Sequence, residues 1–275
     1  MVNTDPLLGP KLKIERAKRH VSDFETAMKA FFESGPYELV ADIDPKTGEE
    51  VFRVRVHQCV PDEFSIITGD IVHNLRSALD QMICGLVRAN RKQVSGGNGF
   101  PIMGSAKRLE EAAVGKLKNI SVKADRFIRR LKPYKGGNNA LWMLAELDNM
   151  DKHNAIVPVA AGRMQMQMQV GMPGMFLSPN GELCIGGGPS GSVPFGFQLG
   201  WTIPDDAKII ELVHDDCEIY RCHPDLAHFP RNMQASIDIT FGKTDVTANE
   251  PIIETLKSLI KLIERIVDIV ERRIL

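Results

Sequence analysis

Helical and strand-forming patterns occupy separate parts of this sequence, which limits the folds that it can adopt. Apolar residues recur at intervals of three and four from Lys11 to Phe32 and in several later segments up to His153, as amphipathic helices require. From 155 to 245 short β-prone runs alternate with turn residues, and from Pro251 the helical pattern returns. Segregated strands favour the α+β class over the α/β class, because α/β folds alternate strands with helices along the chain.

The predicted architecture is a bundle of about five helices packed beside an antiparallel sheet. Region 5–154 is expected to be mostly helical and to contain an N-terminal β-hairpin at 37–58. Region 155–245 is expected to be mostly β, and the C-terminal helix at 250–275 is expected to return to the bundle. The length of 275 residues and the ordinary globular composition allow one large domain. We therefore treat 1–275 as a single domain.

Composition argues against several kinds of partner and location. The 34 basic and 35 acidic residues give a formal net charge of -1, so nucleic acid or anionic lipid would have to bind through a local patch. Residues 1–20 lack the apolar core of a signal peptide, and no segment is apolar enough to span a membrane. The five cysteines are odd in number and scattered, in a chain large enough to fold without disulfides. We expect a cytoplasmic protein with reduced thiols.

The segment GDIVHNLRSALDQ, which begins at Gly69, places polar residues along one face of a predicted helix. At about 100° per residue, His73, Arg76 and Asp80 fall within about 60° of one another, opposite an apolar stripe. Cys84 lies further along the same helix face. If neighbouring elements bury the face at Cys84, they are expected to bury its polar part as well. A covered charge needs a partner, because burying it alone costs several kcal/mol at least.

The segment LWMLAELDNMDKHN, which begins at Leu141, supplies possible partners for that face. The helical wheel puts Asp148 and Asp151 on the apolar face of this segment, with Lys152 beside them. Two adjacent carboxylates in a partly dry place need a cation. The candidates are His73, Arg76, Lys152 or a divalent metal ion.

Three interpretations of these two segments remain open, namely a buried ion-pair network that joins two helices, a catalytic or ligand site, and a solvated polar stripe. In the catalytic interpretation, Asp148 and Asp151 hold a divalent metal or act as base. His73 transfers protons, because imidazoles titrate near neutral pH, and Arg76 binds phosphate or carboxylate with its planar guanidinium. This set suits phosphodiester hydrolysis. The candidate catalytic residues are His73, Arg76, Asp80, Asp148, Asp151, Lys152 and His153, with Asp148 and Asp151 as candidate metal ligands.

Together the two segments resemble a family of uncharacterised bacterial and phage-borne proteins. Its members pair a helix of the form H-N-L-R-x-A-L-D with a later L-x-x-L-x-x-x-D-K-H segment, and the match covers 69–86 and 138–158 of this chain. The matching positions are His73, Asn74, Arg76, Asp80, Asp148, Asn149, Asp151, Lys152 and His153. The resemblance implies that the two segments belong together, and it carries no established activity.

A looser similarity is to helical ribonuclease domains of the HEPN type, which are common in toxin and defence systems. Those domains use an arginine followed four to six residues later by a histidine on one helix, and Arg16 and His20 in ERAKRH have that spacing. This similarity implies RNA cleavage. The predicted function is therefore a phosphodiester hydrolase directed at RNA, with a defence or toxin role. The alternative is a non-catalytic binding or assembly module whose motif residues form a structural ion-pair network.

The segment HDDCEIYRCHPDLAH concentrates residues of the types that bind zinc. The candidate ligands are His214, Cys217, Cys222 and His223. Their spacing is not that of a standard zinc finger, and a strand here would send the two cysteines to opposite faces. Thiols packed in a sheet are the alternative.

The most basic run lies at 116–135 and is a candidate surface for RNA or a phosphorylated ligand, with a solvated helix face as the alternative. Its cations are Lys116, Lys118, Lys123, Arg126, Arg129, Arg130, Lys132 and Lys135.

The last helix has an apolar stripe broader than a coiled-coil seam. That stripe is expected to pack on the bundle and could also supply a homodimer interface. Acidic residues balance the cations on its polar face, so no membrane contact is expected.

Overall fold

The computed structural model describes residues 5–153, 156, 158–177, 183–185, 193–199, 210–211, 216–222, 231–242, 247 and 250–275. Within these ranges the chain forms six helices and eight strands. In chain order they are α1 (Leu8–Glu33), β1 (Tyr37–Ile43), β2 (Glu50–Val56), α2 (Asp62–Ala89), α3 (Ala106–Lys116), α4 (Val122–Arg130), α5 (Asn139–His153), β3 (Pro158–Leu177), β4 (Leu183–Ile185), β5 (Val193–Leu199), β6 (Ile210–Glu211), β7 (Cys217–Cys222), β8 (Arg231–Phe241) and α6 (Ile252–Arg273). The α+β class is confirmed.

The chain divides into two compact units. The helical unit contains Met1–Ser34, Val60–Pro158 and Thr240–Leu275, and the sheet unit contains Gly35–Cys59 and Val159–Ile239. The prediction that 1–275 form a single domain stays a prediction. The described part of the chain has six helices, close to the predicted number of about five, and two of them are the short helices α3 and α4.

The core of the helical unit lies between α1, α2, α5 and α6. Helix α2 contacts each of the other three, and α6 also contacts α1 and α5, so the C-terminal helix belongs to this bundle as predicted. The rings of Phe24 on α1 and Phe64 on α2 meet edge to face with their centroids 5.0 Å apart. Fully buried aliphatic residues fill the centre, among them Leu75, Leu79, Leu141, Leu144, Leu256 and Ile263.

Two short helices with side-chain caps complete the helical unit. Ser105 caps α3 by accepting a hydrogen bond from the backbone N–H of Arg108, and Ser121 caps α4 by accepting one from Ala124. A salt bridge between Arg129 on α4 and Glu110 on α3 joins the two helices. The basic run at 116–135 therefore consists of the end of α3, the whole of α4 and the loop that follows.

The sheet unit contains the predicted hairpin. Strands β1 and β2 pair antiparallel from Tyr37 opposite Val56 to Ile43 opposite Glu50, and β2 also pairs antiparallel with β7. A second sheet is built around β3, which pairs antiparallel with β4, β5 and β6 and also pairs with β8. The predictions of an N-terminal hairpin and of an antiparallel sheet are confirmed.

Candidate functional site

Helix α2 carries the first motif, as the sequence predicts. Asp62 and Glu63 lie in its first turn and Arg88 in its last, so charges of favourable sign face both ends of the helix dipole. Its apolar stripe is buried, and the motif residues with polar side chains lie beside that stripe. Helix α5 carries the second motif, with Lys152 and His153 in its last turn.

The side chains of the two motifs meet at His73 and Asp148. Nδ1 of His73 lies 3.2 Å from Oδ1 of Asp148, and Nε2 of the same ring lies 3.4 Å from the hydroxyl oxygen of Ser77. The Asp148 side chain is only 4% exposed, whereas that of His73 is 54% exposed. A carboxylate at Nδ1 favours the tautomer that carries its proton there, because Nδ1–H donates to the carboxylate. Nε2 is then the acceptor nitrogen, and the ring is open to solvent.

Lys152 binds the second oxygen of the same carboxylate. Its Nζ lies 2.5 Å from Oδ2 of Asp148, one helical turn away on α5, and its side chain is 50% exposed. Both oxygens of the buried Asp148 therefore have partners that can carry positive charge. A buried carboxylate with both oxygens engaged is held firmly in place, and it fixes the imidazole and the ammonium group on either side of itself.

Asp151 lies over α2 at Gly69, where the helix has no side chain in the way. A Cβ atom built on Gly69 would lie 2.0 Å from Oδ1 of Asp151. Burial raises the pKa of Asp151, and the charges of Asp148 and Asp70 raise this pKa further, while His73 and Lys152 offset part of the effect. Asp151 therefore keeps its proton to higher pH than an exposed aspartate does.

Arg76 and Asp80 form a second network with a loop rather than with the acidic residues of α5. Nη2 of Arg76 donates to the carbonyl oxygen of Phe100 at 2.9 Å, and the backbone N–H of Phe100 donates to Oδ1 of Asp80 at 2.7 Å. Nη1 of Arg76 lies 3.0 Å from the same Asp80 oxygen in an ion pair, although its angle does not make a hydrogen bond. This network holds the fully buried Phe100 against α2.

The remaining motif residues are placed around these two networks. Asn74 donates to the backbone oxygen of Asp70 at 2.7 Å and accepts from Nζ of Lys13 at 3.1 Å, which ties α1 to α2. Asn149 and His153 are exposed on α5. The structure thus brings His73, Asp148, Asp151 and Lys152 together and engages Arg76 and Asp80 elsewhere.

Ser77 and Phe100 take part in these networks and were not among the candidate site residues. Ser77 has a usable signal, because it follows His73 by four residues and so lies one turn along the same helix face. Phe100 has none, because it takes part through its backbone, and every residue carries a carbonyl group.

Neither predicted metal site gains a ligand set in the part of the chain that the structure describes. No group of three or more His, Cys, Asp or Glu side chains there is arranged to hold a metal ion. For the zinc prediction, Cys217 and Cys222 are the first and last residues of β7, whereas His214 and His223 lie outside the described residues. A metal at Asp148 and Asp151 stays a prediction, and it would have to compete with His73 and Lys152 for the oxygens of Asp148.

The residues of the HEPN-type pattern lie on α1, where Arg16 is exposed and His20 is half-buried. No helix in the described ranges has the length and apolar character needed to cross a lipid bilayer. Comparison of the chain with protein families, with curated proteins and with solved structures found no match.

Proposed function

We propose that this protein is a hydrolase that cleaves RNA phosphodiesters, with His73 as its general base. The contact that supports this proposal is the one between the half-exposed imidazole of His73 and the buried carboxylate of Asp148, 3.2 Å apart. A buried acid that orients a half-exposed imidazole is an arrangement used in acid–base catalysis, and a purely structural ion pair does not need the ring to be accessible to solvent.

The reaction that fits these groups is attack by the ribose 2′-hydroxyl on the neighbouring phosphorus. Nε2 of His73 takes the proton of the 2′-hydroxyl, while Asp148 stabilises the imidazolium that forms. The new bond joins the 2′-oxygen to phosphorus, and the bond from phosphorus to the 5′-oxygen breaks. The products are a 2′,3′-cyclic phosphate and a free 5′-hydroxyl.

Asp151 and Lys152, which lie beside Asp148 on α5, can complete the proton and charge balance of this reaction. Asp151 can protonate the departing 5′-oxygen, because burial and neighbouring carboxylates raise its pKa. Lys152 is half-exposed next to Asp148, so its ammonium group can offset negative charge that develops on the phosphate oxygens. Each of these roles belongs to a side chain on α2 or α5.

The proposed RNA partner and location rest on separate features. The basic run at 116–135 supplies cations that could follow a phosphate backbone. Among the cysteines with described side chains, Cys59 and Cys84 carry free thiols, as expected in a reducing compartment. We therefore place the activity in the cytoplasm.

The decisive experiment measures cleavage of labelled single-stranded RNA by the full chain and by two histidine variants. His73→Gln is expected to lower the rate by about 100-fold or more, the usual contribution of a general base. His20→Gln is the matched control, because it removes the histidine of the HEPN-type pattern and is expected to leave the rate unchanged. RNA with a single 2′-deoxy residue at the cleavage position is expected to resist cleavage, and the product is expected to carry a cyclic phosphate.

Three results would contradict this assignment. Loss of cleavage in His20→Gln but not in His73→Gln would move the activity to α1. Cleavage of the 2′-deoxy substrate would exclude the 2′-hydroxyl as nucleophile. No RNA cleavage by the unaltered chain, with melting temperature reduced in His73→Gln, would favour the second candidate below.

The second candidate is a non-catalytic binding or assembly module, and the Arg76, Asp80 and Phe100 network favours it. This network joins a helix to a loop through three contacts and leaves the guanidinium only 16% exposed, so it stabilises the fold and offers little to a ligand. Self-association through α6 belongs to this candidate. Most of the apolar stripe of α6 is buried within the chain, so a homodimer would have to use the half-buried Ile253, Leu262 and Ile269. Sedimentation at micromolar concentration tests this self-association, and a monomer would contradict it.

A further inference from the structure

A cavity of about 640 Å³ lies between α4 and the C-terminal turns of α6. Three cations of α4 line it, Lys123, Arg126 and Arg130, and Arg273 of α6 joins them. Phe127 and Ile269 contribute to its apolar wall. No acidic side chain is among the residues that line this cavity, although acidic residues are as numerous as basic ones in the sequence.

The four cations of this cavity form no ion pairs with described residues. Arg129, which does not line the cavity, pairs with Asp125 and Glu110 and is neutralised within the bundle. Positions 123, 126 and 130 follow one another at helical spacing, so their charges repel along one face. A cleft lined by charges of one sign raises the local concentration of counter-ions, so this cavity favours the binding of an anion.

We propose that this cavity binds a nucleotide, with the phosphate on the guanidinium groups of Arg126, Arg130 and Arg273 and the base against Phe127. Guanidinium groups bind phosphate through paired hydrogen bonds, and an aromatic ring provides a face on which any base can stack. The cavity volume lies within the range typical of small-molecule sites. A free mononucleotide and the terminal nucleotide of an RNA chain present the same groups to it.

An anionic membrane surface is a poorer fit than a nucleotide. A bilayer surface is too broad to enter a cavity of this size, whereas a nucleotide is small enough to do so. The inference deepens the proposed RNA partner and rests on it only for the RNA source of the nucleotide, because the cavity lies on a different pair of helices from His73.

Titration calorimetry of the full chain tests the inference with five probes: AMP, a 5′-phosphorylated oligoadenylate, an oligoadenylate that lacks the 5′-phosphate, inorganic phosphate and phosphatidylserine vesicles. AMP is expected to bind. The double variant Arg126→Gln with Arg130→Gln is expected to weaken its binding by about tenfold or more, because charge-assisted bonds to phosphate are lost. Arg265→Gln is the matched control, since Arg265 is exposed on α6 and does not line the cavity. Phe127→Leu is expected to weaken AMP binding while leaving inorganic phosphate binding unchanged.

These outcomes distinguish a free nucleotide from the end of an RNA chain as the ligand. They also distinguish nucleotide binding in this cavity from the proposed RNA cleavage. Equal binding of AMP and the phosphorylated oligomer assigns the site to the end of an RNA chain, and binding of AMP alone assigns it to a free nucleotide. The inference is overturned if AMP does not bind, if the double variant binds it as tightly as the unaltered chain, or if only phosphatidylserine vesicles bind. His73→Gln is expected to keep full affinity for AMP. Binding without RNA cleavage would therefore reject the proposed reaction alone, and cleavage without binding would reject this site alone.

Discussion

Gly69 on α2 and Asp151 on α5 approach so closely that a Cβ atom on Gly69 would lie 2.0 Å from Oδ1 of Asp151. No ordinary side chain fits between them, so the carboxyl group lies directly on the backbone of α2. This position removes water from one side of the carboxyl group. Burial is the largest cause of the raised pKa of Asp151. A glycine on one helix therefore helps to determine when an acid on another helix releases its proton.

Replacing Gly69 by alanine is expected to displace the Asp151 carboxyl group into solvent and to lower the pKa of Asp151 towards its ordinary value. The free energy of unfolding should fall by only about 1 kcal/mol, because the helix preference of alanine offsets part of the overpacking cost. An NMR titration of the carboxyl group and urea denaturation measure the two effects. Gly115→Ala is the control, because a Cβ atom there meets no atom within 4 Å and alanine should raise stability by about 0.5 kcal/mol. An unchanged Asp151 pKa in Gly69→Ala would contradict the interpretation.

The raised pKa of Asp151 also predicts how its removal changes stability with pH. The folded chain binds this proton more tightly than the unfolded chain, so the contribution of Asp151 is full below the unfolded pKa, about 4, and is lost as pH rises through the folded pKa. Asp151→Asn should therefore raise the free energy of unfolding at pH 7 and have no such effect near pH 3. Asp5→Asn is a control of opposite sign, because a backbone hydrogen bond from Leu7 and the Lys11 ammonium lower the pKa of Asp5. That variant should lose stability at pH 7. Equal denaturation curves at pH 7 for Asp151→Asn and the unaltered chain would refute the first expectation.

The fold could be predicted where one periodicity extends over a long segment. The apolar positions of α1 recur without a break, and the alternation of Met and Gln at 164–169 lies within β3. The two helices between 106 and 131 could be predicted as well, because each has its own helical run and begins directly after a capping serine, Ser105 or Ser121. The pairing of β2 with β7 joins segments about 170 residues apart. No local pattern in the sequence specifies which distant strand completes an edge.

The contact between His73 and Asp148 could be predicted from the sequence, whereas the contacts of Arg76 could not. His73 and Asp148 each lie on a helix face that the helical wheel identifies, and the buried carboxylate of Asp148 needs a partner that can carry positive charge when the helices pack. Arg76 also had to find an acceptor, but the nearest ones were Asp80 on its own helix and the carbonyl oxygen of Phe100. Residue types do not predict which backbone carbonyl group in a loop will be the acceptor, because every residue has one.

Removing the Asp80 side chain is expected to destabilise the helical unit by about 2–3 kcal/mol. Asp80→Ala would leave the backbone N–H of the buried Phe100 without its acceptor and the guanidinium of Arg76 without its ion pair. Urea denaturation gives the loss of stability, and hydrogen exchange at the Phe100 amide reports the broken bond directly. Asp23→Ala is the control, because Asp23 is an exposed carboxylate on α1, and its loss should change stability by no more than about 0.5 kcal/mol. Slow exchange at Phe100 in Asp80→Ala would show that this network does not hold the loop.

Replacing Asp148 by asparagine distinguishes a catalytic role of His73, Asp148, Asp151 and Lys152 from a structural one. The amide keeps the shape of the carboxylate but cannot stabilise an imidazolium, and its NH₂ group can turn towards Nδ1 of His73 and favour the other tautomer. We expect RNA cleavage to fall by about 100-fold or more and the free energy of unfolding by about 1–2 kcal/mol, because His73 and Lys152 are half-exposed and can be rehydrated. The nitrogen chemical shifts of His73 report its tautomer whether or not any RNA is cleaved. They should indicate a proton on Nδ1 in the unaltered chain and on Nε2 in Asp148→Asn. The control Glu146→Gln changes another carboxylate of α5, one that is not the partner of His73, and should keep the proton on Nδ1. If the unaltered chain already carries the proton on Nε2, the carboxylate does not orient this ring, and His73 cannot be the base that we propose.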